Sequence, residues 1–488
     1  MKLLLATSEL HPYSKTGGLA DMVAGLAKAL AKAGHRIGVV TPLYRGVREH
    51  FPSLQRLDWQ LGLPLGDRRL AAGLWSMQPR PGLTFYFVEQ PEFYQRKELY
   101  QERGVDYWDN AVRFVFLSKC VVEMARCLAW QPELVHVHDW QLGLVPLLIR
   151  HQARLGQWPN PPRTCLTIHN LAFQGVFPPE AYRLTNLPWD YFHAGGAEFY
   201  GLVNFLKAGI AYADALITVS PRYAREITTP EFGCGLEGIL QARQNSLTGI
   251  LNGVDYEEWR TTKNPFLPHS YSARRLNGKT KNKLALQNEL GLPAQADAPL
   301  FGVVSRLTGQ KGMDILLPAL AEMLASGFQF ALLGEGEPKY EAGFDELAQR
   351  HPRQVAVRLC KDAGLAHRIE AASDFFLMPS RFEPCGLNQM YSFRYGAVPV
   401  VRATGGLDDS VVDLREAPLK ANGVKFHDYS ASALAKAVRK ALALYQAPAL
   451  LAHLRRNGMA ADFSWRRSAA KYLEVYRGAA TQTESNAA

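Results

Sequence analysis

Short apolar runs that end in polar residues alternate along this chain with stretches of helical period. The first run is Lys2–Ala6, followed by a glycine turn, an amphipathic stretch at Asp21–Ala33 and a second run at Ile37–Val40. Further runs stand at Leu134–Val137, Cys165–Ile168 and Ala215–Val219. A strand buried on both faces needs apolar residues at successive positions, so the pattern predicts a parallel sheet covered by helices. The rhythm pauses at Gly249–Val254, and Asn264–Lys283 is rich in proline, serine, glycine and lysine. A second series then follows, at Phe301–Val304, Phe328–Leu333, Val355–Leu359, Phe375–Met378 and Val398–Val401. These two series predict two doubly wound, Rossmann-like α/β domains facing a cleft, with ligands at the carboxyl ends of the strands.

The length of 488 residues favours two cores over the alternative of one large α/β domain. The expected division is residues 1–250 and 251–460, then a C-terminal helix at 461–478 and a small, polar, disordered tail at 479–488. Hydrophobic residues make up 47% and charged residues 20%, the balance of a globular enzyme. Lysine and arginine outnumber acids 55 to 45, giving a formal charge of +10. That excess is dispersed except at Arg274–Lys283, which reads as a solvated loop and helix start. No binding module accompanies it, so nucleic acid is not an expected partner. The first apolar run is too short for a signal peptide, and no run approaches the ~20 residues of a membrane span. Six cysteines without a CxxC pair suit reduced thiols, so a cytoplasmic protein is expected.

Four motifs carry candidate chemistry. Ser14-Lys15-Thr16-Gly17-Gly18-Leu19-Ala20-Asp21 lies between the first strand and first helix, where Gly17 and Gly18 bring N–H groups close to an anion and Lys15 adds charge. It is neither a Walker A loop nor GxGxxG, and a plain tight turn is the competing reading. Ser305-Arg306-Leu307-Thr308-Gly309-Gln310-Lys311-Gly312 leaves the first strand of the second series, placing Arg306 and Lys311 where they can hold a diphosphate and stabilise its growing charge. A surface pair flanking a loop is the alternative. Pro379-Ser380-Arg381-Phe382-Glu383-Pro384-Cys385-Gly386-Leu387 holds Glu383 between an aromatic and a proline, as suits a carboxylate set against sugar hydroxyls. Glu383 also fits a first-turn acid favoured by the helix dipole, and Cys385 a small packing residue. Thr404-Gly405-Gly406-Leu407 supplies a further glycine pair for close backbone approach.

The fourth group is His136, His138, Asp139, Trp140 and His169-Asn170. His136 and His138 alternate onto one strand face, which invites a metal. A hydrolase HxHxDH pattern, however, would need histidine where Trp140 stands, so no metal is expected. Asp139 and His169 suit sugar hydroxyls, and Trp140 the apolar face of a sugar ring.

With these residues the chain resembles bacterial glycogen synthases and plant starch synthases. The resemblance rests on Lys15-Thr-Gly-Gly-Leu-Ala-Asp21, His138-Asp-Trp140, His169-Asn-Leu171, Asn252-Gly-Val-Asp255, Ser305-Arg-Leu307 with Lys311-Gly312, and Ser380-Arg-Phe-Glu-Pro-Cys-Gly-Leu387. It extends in order to Phe463-Ser464-Trp465. It implies a glycosyltransferase-B fold with no required metal or cofactor, and a last helix, near Trp465–Arg477, crossing back to the first domain. It further implies transfer of glucose from ADP-glucose to the non-reducing end of an α-1,4-glucan, with retention of configuration.

By the same resemblance Lys15, Arg306 and Lys311 contact the diphosphate, with Gly386 and Leu387 beside it, and Glu383 holds the transferred glucose. His169 sits near the reacting carbon, and Asp139 and Tyr100 lie on the sugar or acceptor side. Gly17, Gly18, Trp140, Asn170, Asn252, Cys385, Thr404, Gly405 and Gly406 complete the substrate-binding set. Position 391 is tyrosine, so the Glu-x7-Glu pattern of many related transferases is incomplete, as is usual for glycogen synthases. No carboxylate pair suggests double displacement, so departure and attack on one face of the sugar are expected. Residue 1 already begins the fold, which disfavours a plastid enzyme with a transit segment. UDP-glucose remains an alternative donor. A carbohydrate hydrolase and a non-catalytic glucan or nucleotide-sugar binder are the competing classes.

Overall fold

The computed structural model describes residues 1–481. The chain divides into two compact units, Met1–Gly253 with the chain from Trp465 on, and Val254–Ser464. Unit 1 is built on a nine-stranded sheet in the order 247–249, 215–218, 163–168, 134–138, 2–6, 36–42, 83–89, 68–80, 55–65. The first seven run parallel, and the ribbon Gln55–Leu65 and Arg68–Arg80 adds antiparallel to the strand Leu83–Glu89. The ribbon is not foreshadowed by the apolar runs, because its outer strand alternates exposed and buried positions and includes Pro64.

Winding reverses between the strands Lys2–Ala6 and Leu134–His138, which are hydrogen-bonded neighbours. The segments leaving their carboxyl ends, Thr7-Ser8-Glu9 and His138-Asp139, therefore meet at a topological switch point. The helix Trp465–Thr481 belongs to unit 1, and its Trp465 indole lies where a side chain on Gly25 of the helix Gly18–Lys32 would stand. Tyr476 of the same helix is buried and bonds His136 Nδ1 at 2.8 Å. The helix runs through 479–481, part of the stretch expected to be disordered, and 482–488 lie outside the described residues.

Unit 2 holds a six-stranded parallel sheet in the order 355–358, 329–333, 300–304, 375–378, 398–402, 424–426. Successive residues serve opposite faces. Phe301, Val303, Phe375 and Leu377 enter one core, and Leu300, Phe376 and Met378 the other. Burial on both faces is what makes these strands read as unbroken apolar runs. Winding reverses between Leu300–Val304 and Phe375–Met378, so the Ser305–Gly312 and Pro379–Leu387 loops leave neighbouring strand ends.

One reading of the sequence is corrected here. The basic stretch 274–283 is not solvated throughout, because the helix Asn277–Leu290 buries Lys279 and Lys283.

Candidate active site

In unit 1, Glu9 organises the glycine loop. Its Oε2 accepts from Thr16 N at 2.6 Å and Gly17 N at 3.3 Å, and its Oε1 accepts from Thr16 Oγ1 at 2.5 Å and Tyr100 Oη at 2.9 Å. The anion at these amides is thus a carboxylate of the chain itself. Glu9 is almost wholly buried, and the apolar runs gave no sign of its role. A carboxylate three residues past the first strand, just ahead of a glycine loop, is the signal that could have revealed it.

Lys15 is exposed and paired with Asp21, 2.7 Å from Oδ2. Gly17 is in extended backbone and exposed, with no atom of the chain within 4 Å of the place a Cβ would take. Packing therefore does not require glycine there. Gly18 opens the first helix and is exposed. Tyr100 faces inward, its hydroxyl shared between Glu9 and Ser8, so it braces the loop.

Asp139 adopts φ 57°, ψ −172°, a backbone region almost reserved for glycine. It is held there by His169 N, which donates to Oδ1 at 2.7 Å. Burial pushes the Asp139 carboxyl up to about 7, against the lowering effect of that amide bond, with Glu9 adding to the rise. Burial conversely drives the His169 imidazole down to about 3, so it is neutral near pH 7. His169 Nε2 lies 3.1 Å from His138 Nδ1, and His138 Nε2 is buried without a partner. A buried orphan acceptor costs less than a buried orphan N–H. The favoured arrangement therefore has His138 Nδ1–H donating to His169, which leaves the His169 proton on Nδ1.

His136 is fully engaged, by Tyr476 and by Thr167 Oγ1 at 2.7 Å. Among the described residues, no group of three or more His, Cys, Asp and Glu side chains is arranged to hold a metal. Trp140 packs edge-on to Phe114 and against Phe177 and Gly175, so part of its surface is spent on the fold. Asn170 turns its side chain back to Ala172 N at 3.1 Å. Asn252 Oδ1 is buried without a hydrogen-bond partner.

In unit 2 the two motif loops are stitched together. Arg381 N donates to Gln310 O at 2.8 Å, and the Pro379 carbonyl lies where a Cβ on Gly312 would stand, 2.1 Å away. Gly312 also has φ +78°, so this contact requires glycine twice over. The result brings Lys311 Nζ to 2.6 Å from Glu383 Oε2, which also accepts from Ser380 Oγ at 2.9 Å. Both bonds fall on Oε2, so Oε1 is the atom open to a hydroxyl. Glu383 is nearly buried and Lys311 half-buried. Arg306 is exposed, and its side chain has no hydrogen bond or ion pair among the described residues.

Cys385 and Gly386 are buried, Gly386 at φ +70°, and Leu387 directly precedes the helix Asn388–Tyr395. Thr404 is buried too. The Gly405–Gly406 pair has its close approach inside the protein, because side chains there would stand 2.0 Å from the carbonyl oxygens of Glu383 and Cys385. These glycines hold the Glu383 loop in place.

Residues 2–242 match the family described as starch synthase catalytic domain, and residues 290–459 match glycosyl transferases group 1. A glycogen synthase of Anaeromyxobacter sp. (strain Fw109-5) is 47% identical over 481 residues, 98% of this chain and 100% of its own. One of Syntrophotalea carbinolica is 44% identical, covering 98% of this chain and 99% of its own. Among solved structures, the catalytic domain of starch synthase IV from Arabidopsis thaliana, bound to ADP and acarbose, superimposes with a TM-score of 0.89. It is 32% identical, over 98% of this chain and 99% of that one.

Proposed function

The chain belongs to the starch and glycogen synthase family of glycosyltransferases, with the glycosyltransferase-B fold, and from that premise we propose that it moves glucose from ADP-glucose to the non-reducing end of an α-1,4-glucan with retention of configuration. The observation that carries this reading is the stitched pair of loops in unit 2, where a buried carboxylate and a lysine meet at a switch point. Glu383 offers Oε1 to glucose hydroxyls. Lys311 exchanges part of its contact with Glu383 for the diphosphate, Arg306 adds a second cation, and the amides at the start of Asn388–Tyr395 face the same developing charge. Cation stabilisation of the departing phosphate is the main catalytic contribution. With no nucleophilic carboxylate assigned, that phosphate takes the proton of the attacking hydroxyl on the same face of the sugar.

In unit 1, Lys15 and the exposed loop amides serve the diphosphate, and Asp139 and His169 serve the glucosyl group. Adenine is favoured over uracil because the starch synthase IV structure is bound to ADP. A cytoplasmic setting belongs to the same proposal, with the distribution of the protein on cell fractionation as its test. None of the described helices is long and apolar enough to cross a membrane.

The deciding experiment gives the protein glycogen with ADP-glucose or with UDP-glucose and follows nucleoside diphosphate release. Release from ADP-glucose with elongation of the glucan is expected. Turnover of UDP-glucose alone overturns the choice of base, and glucan breakdown without nucleotide overturns the transfer itself.

A further inference from the structure

Unit 2 carries a second concentration of charge at the opposite ends of its strands. Asp374 immediately precedes the strand Phe375–Met378, whose other end leads into the Glu383 loop. A cavity of about 290 Å³ opens there, lined by Lys279 and Lys283 of the helix Asn277–Leu290, Arg455 of the helix Pro448–Ala460, Asp374, and the side chains of Tyr445 and Leu451. Three basic groups face one carboxylate. The carboxylate already accepts three bonds: Oδ2 from Lys283 Nζ at 2.7 Å and Leu300 N at 3.0 Å, and Oδ1 from Arg455 at 2.6 Å.

Lys283 is satisfied, its Nζ donating to Asp374, Ala296 O and Tyr445 Oη, but the other two basic groups are not. Lys279 is 4% exposed, and its Nζ makes one bond, to Ala371 O at 2.7 Å. Arg455 Nε is buried and has no partner. Buried donors without acceptors are costly, and a polar cavity beside them is where an acceptor would enter. Glu370, the other acid near Lys279, is buried and held toward its neutral form, so it supplies little countercharge.

We propose that this cavity is an anion site for a phosphate group, free or as the monoester of a small molecule, held by Lys279 and Arg455. The volume lies near the lower bound of small-molecule sites, ~300–1,000 Å³, and leaves room for a modest substituent on the phosphate. Burial, then Arg455 and Lys283, hold Lys279 well below the usual lysine range, while Asp374 and Glu370 act the other way. An anion beside Lys279 reverses that balance, so binding takes up a proton.

The test titrates the full-length protein calorimetrically with inorganic phosphate, and separately with glycerol phosphate, at constant ionic strength set by chloride. Saturable binding is expected, with an apparent heat that depends on the ionisation heat of the buffer. Tighter binding of glycerol phosphate assigns the site to esters, and equal or weaker binding to the free ion. Lys279→Met and Arg455→Leu each weaken binding at least tenfold, whereas Arg306→Ala, which removes a proposed donor contact, leaves this event intact. Binding that survives both substitutions, or disappears in Arg306→Ala, overturns the proposal, as does an equal response to chloride. If neither variant folds, the unsubstituted protein decides, and the absence of saturable phosphate binding at constant ionic strength refutes the site.

Discussion

Arg306→Ala separates the proposed catalytic role of a cation from any role in stability. Lys311 cannot serve, because its removal strips the counter-ion from Glu383, whose side chain is 7% exposed, and leaves a buried carboxylate held by Ser380 alone. Arg306 leaves the carboxyl end of the strand Leu300–Val304, is exposed, and makes no side-chain bond among the described residues. Its loss should therefore change unfolding free energy by no more than about 0.5 kcal/mol. At ~2–4 °C per kcal/mol for a unit of this size, the melting temperature should move by only a degree or two.

The kinetic effect should be far larger. A cation aimed at charge that develops only as the phosphate departs is worth roughly a hundredfold in kcat, about 2.7 kcal/mol of barrier. Initial rates of nucleoside diphosphate release at saturating ADP-glucose and glycogen, set beside a thermal melt, measure both quantities. A loss under threefold refutes the assignment. A hundredfold loss accompanied by a melting shift above about 5 °C would instead mean that Arg306 supports the loop.

Glu9→Gln can keep its carbonyl toward the amides of Thr16 and Gly17 and turn its N–H₂ to the Thr16 and Tyr100 hydroxyls, which then accept, so only the charge assistance is lost; urea unfolding should show about 1–2 kcal/mol of destabilisation, and a change under 0.5 would mean that the charge does not hold the loop. Gly17→Ala should leave stability unchanged or slightly improved, because its backbone is extended and its surroundings empty, while raising KM for the donor at least fivefold; an unchanged KM would remove the ligand from that space. Gly312→Ala meets both a positive φ and the Pro379 carbonyl, and should cost about 2–4 kcal/mol by the same unfolding assay. The Asp139 carboxyl, raised to about 7, favours the folded state while protonated, so its contribution is complete below pH 4 and is lost as pH rises through 7. Asp139→Asn should flatten the stability–pH curve between pH 4 and 7, and an identical slope in the variant would refute the shift.

Strands such as Leu300–Val304 and Phe375–Met378 were legible because burial on both faces writes an unbroken apolar word, and the motif loops could be placed because they follow those words directly. Partners distant in sequence were not legible. Glu9 gains its meaning from Tyr100, and Lys283 is neutralised by Asp374, residues that only the folded sheets bring near. Charge in a sequence reads as solvent by default, which hides the burial of Lys279 and Lys283 inside a run that is otherwise a loop and helix start. Glycine was legible as a signal but not as a reason. Gly17 stands in empty space, whereas Gly405 and Gly406 make room for the protein's own carbonyls.

The site residues share a further property that bears on affinity. Lys15 is held by Asp21, the amides of Thr16 and Gly17 by Glu9, and Lys311 by Glu383, so each unit supplies its anion-binding groups with internal carboxylates. On the proposed function, a diphosphate at either set would have to compete with existing charge-assisted bonds, and the free energy of binding there would be the difference between two well-formed sets. That exchange lowers ground-state affinity while keeping every donor group oriented. Orientation set in advance costs nothing at the moment of reaction, when negative charge on the leaving phosphate is at its greatest. On the same proposal Arg306, whose side chain has no partner to surrender among the described residues, keeps its full attraction for the departing phosphate.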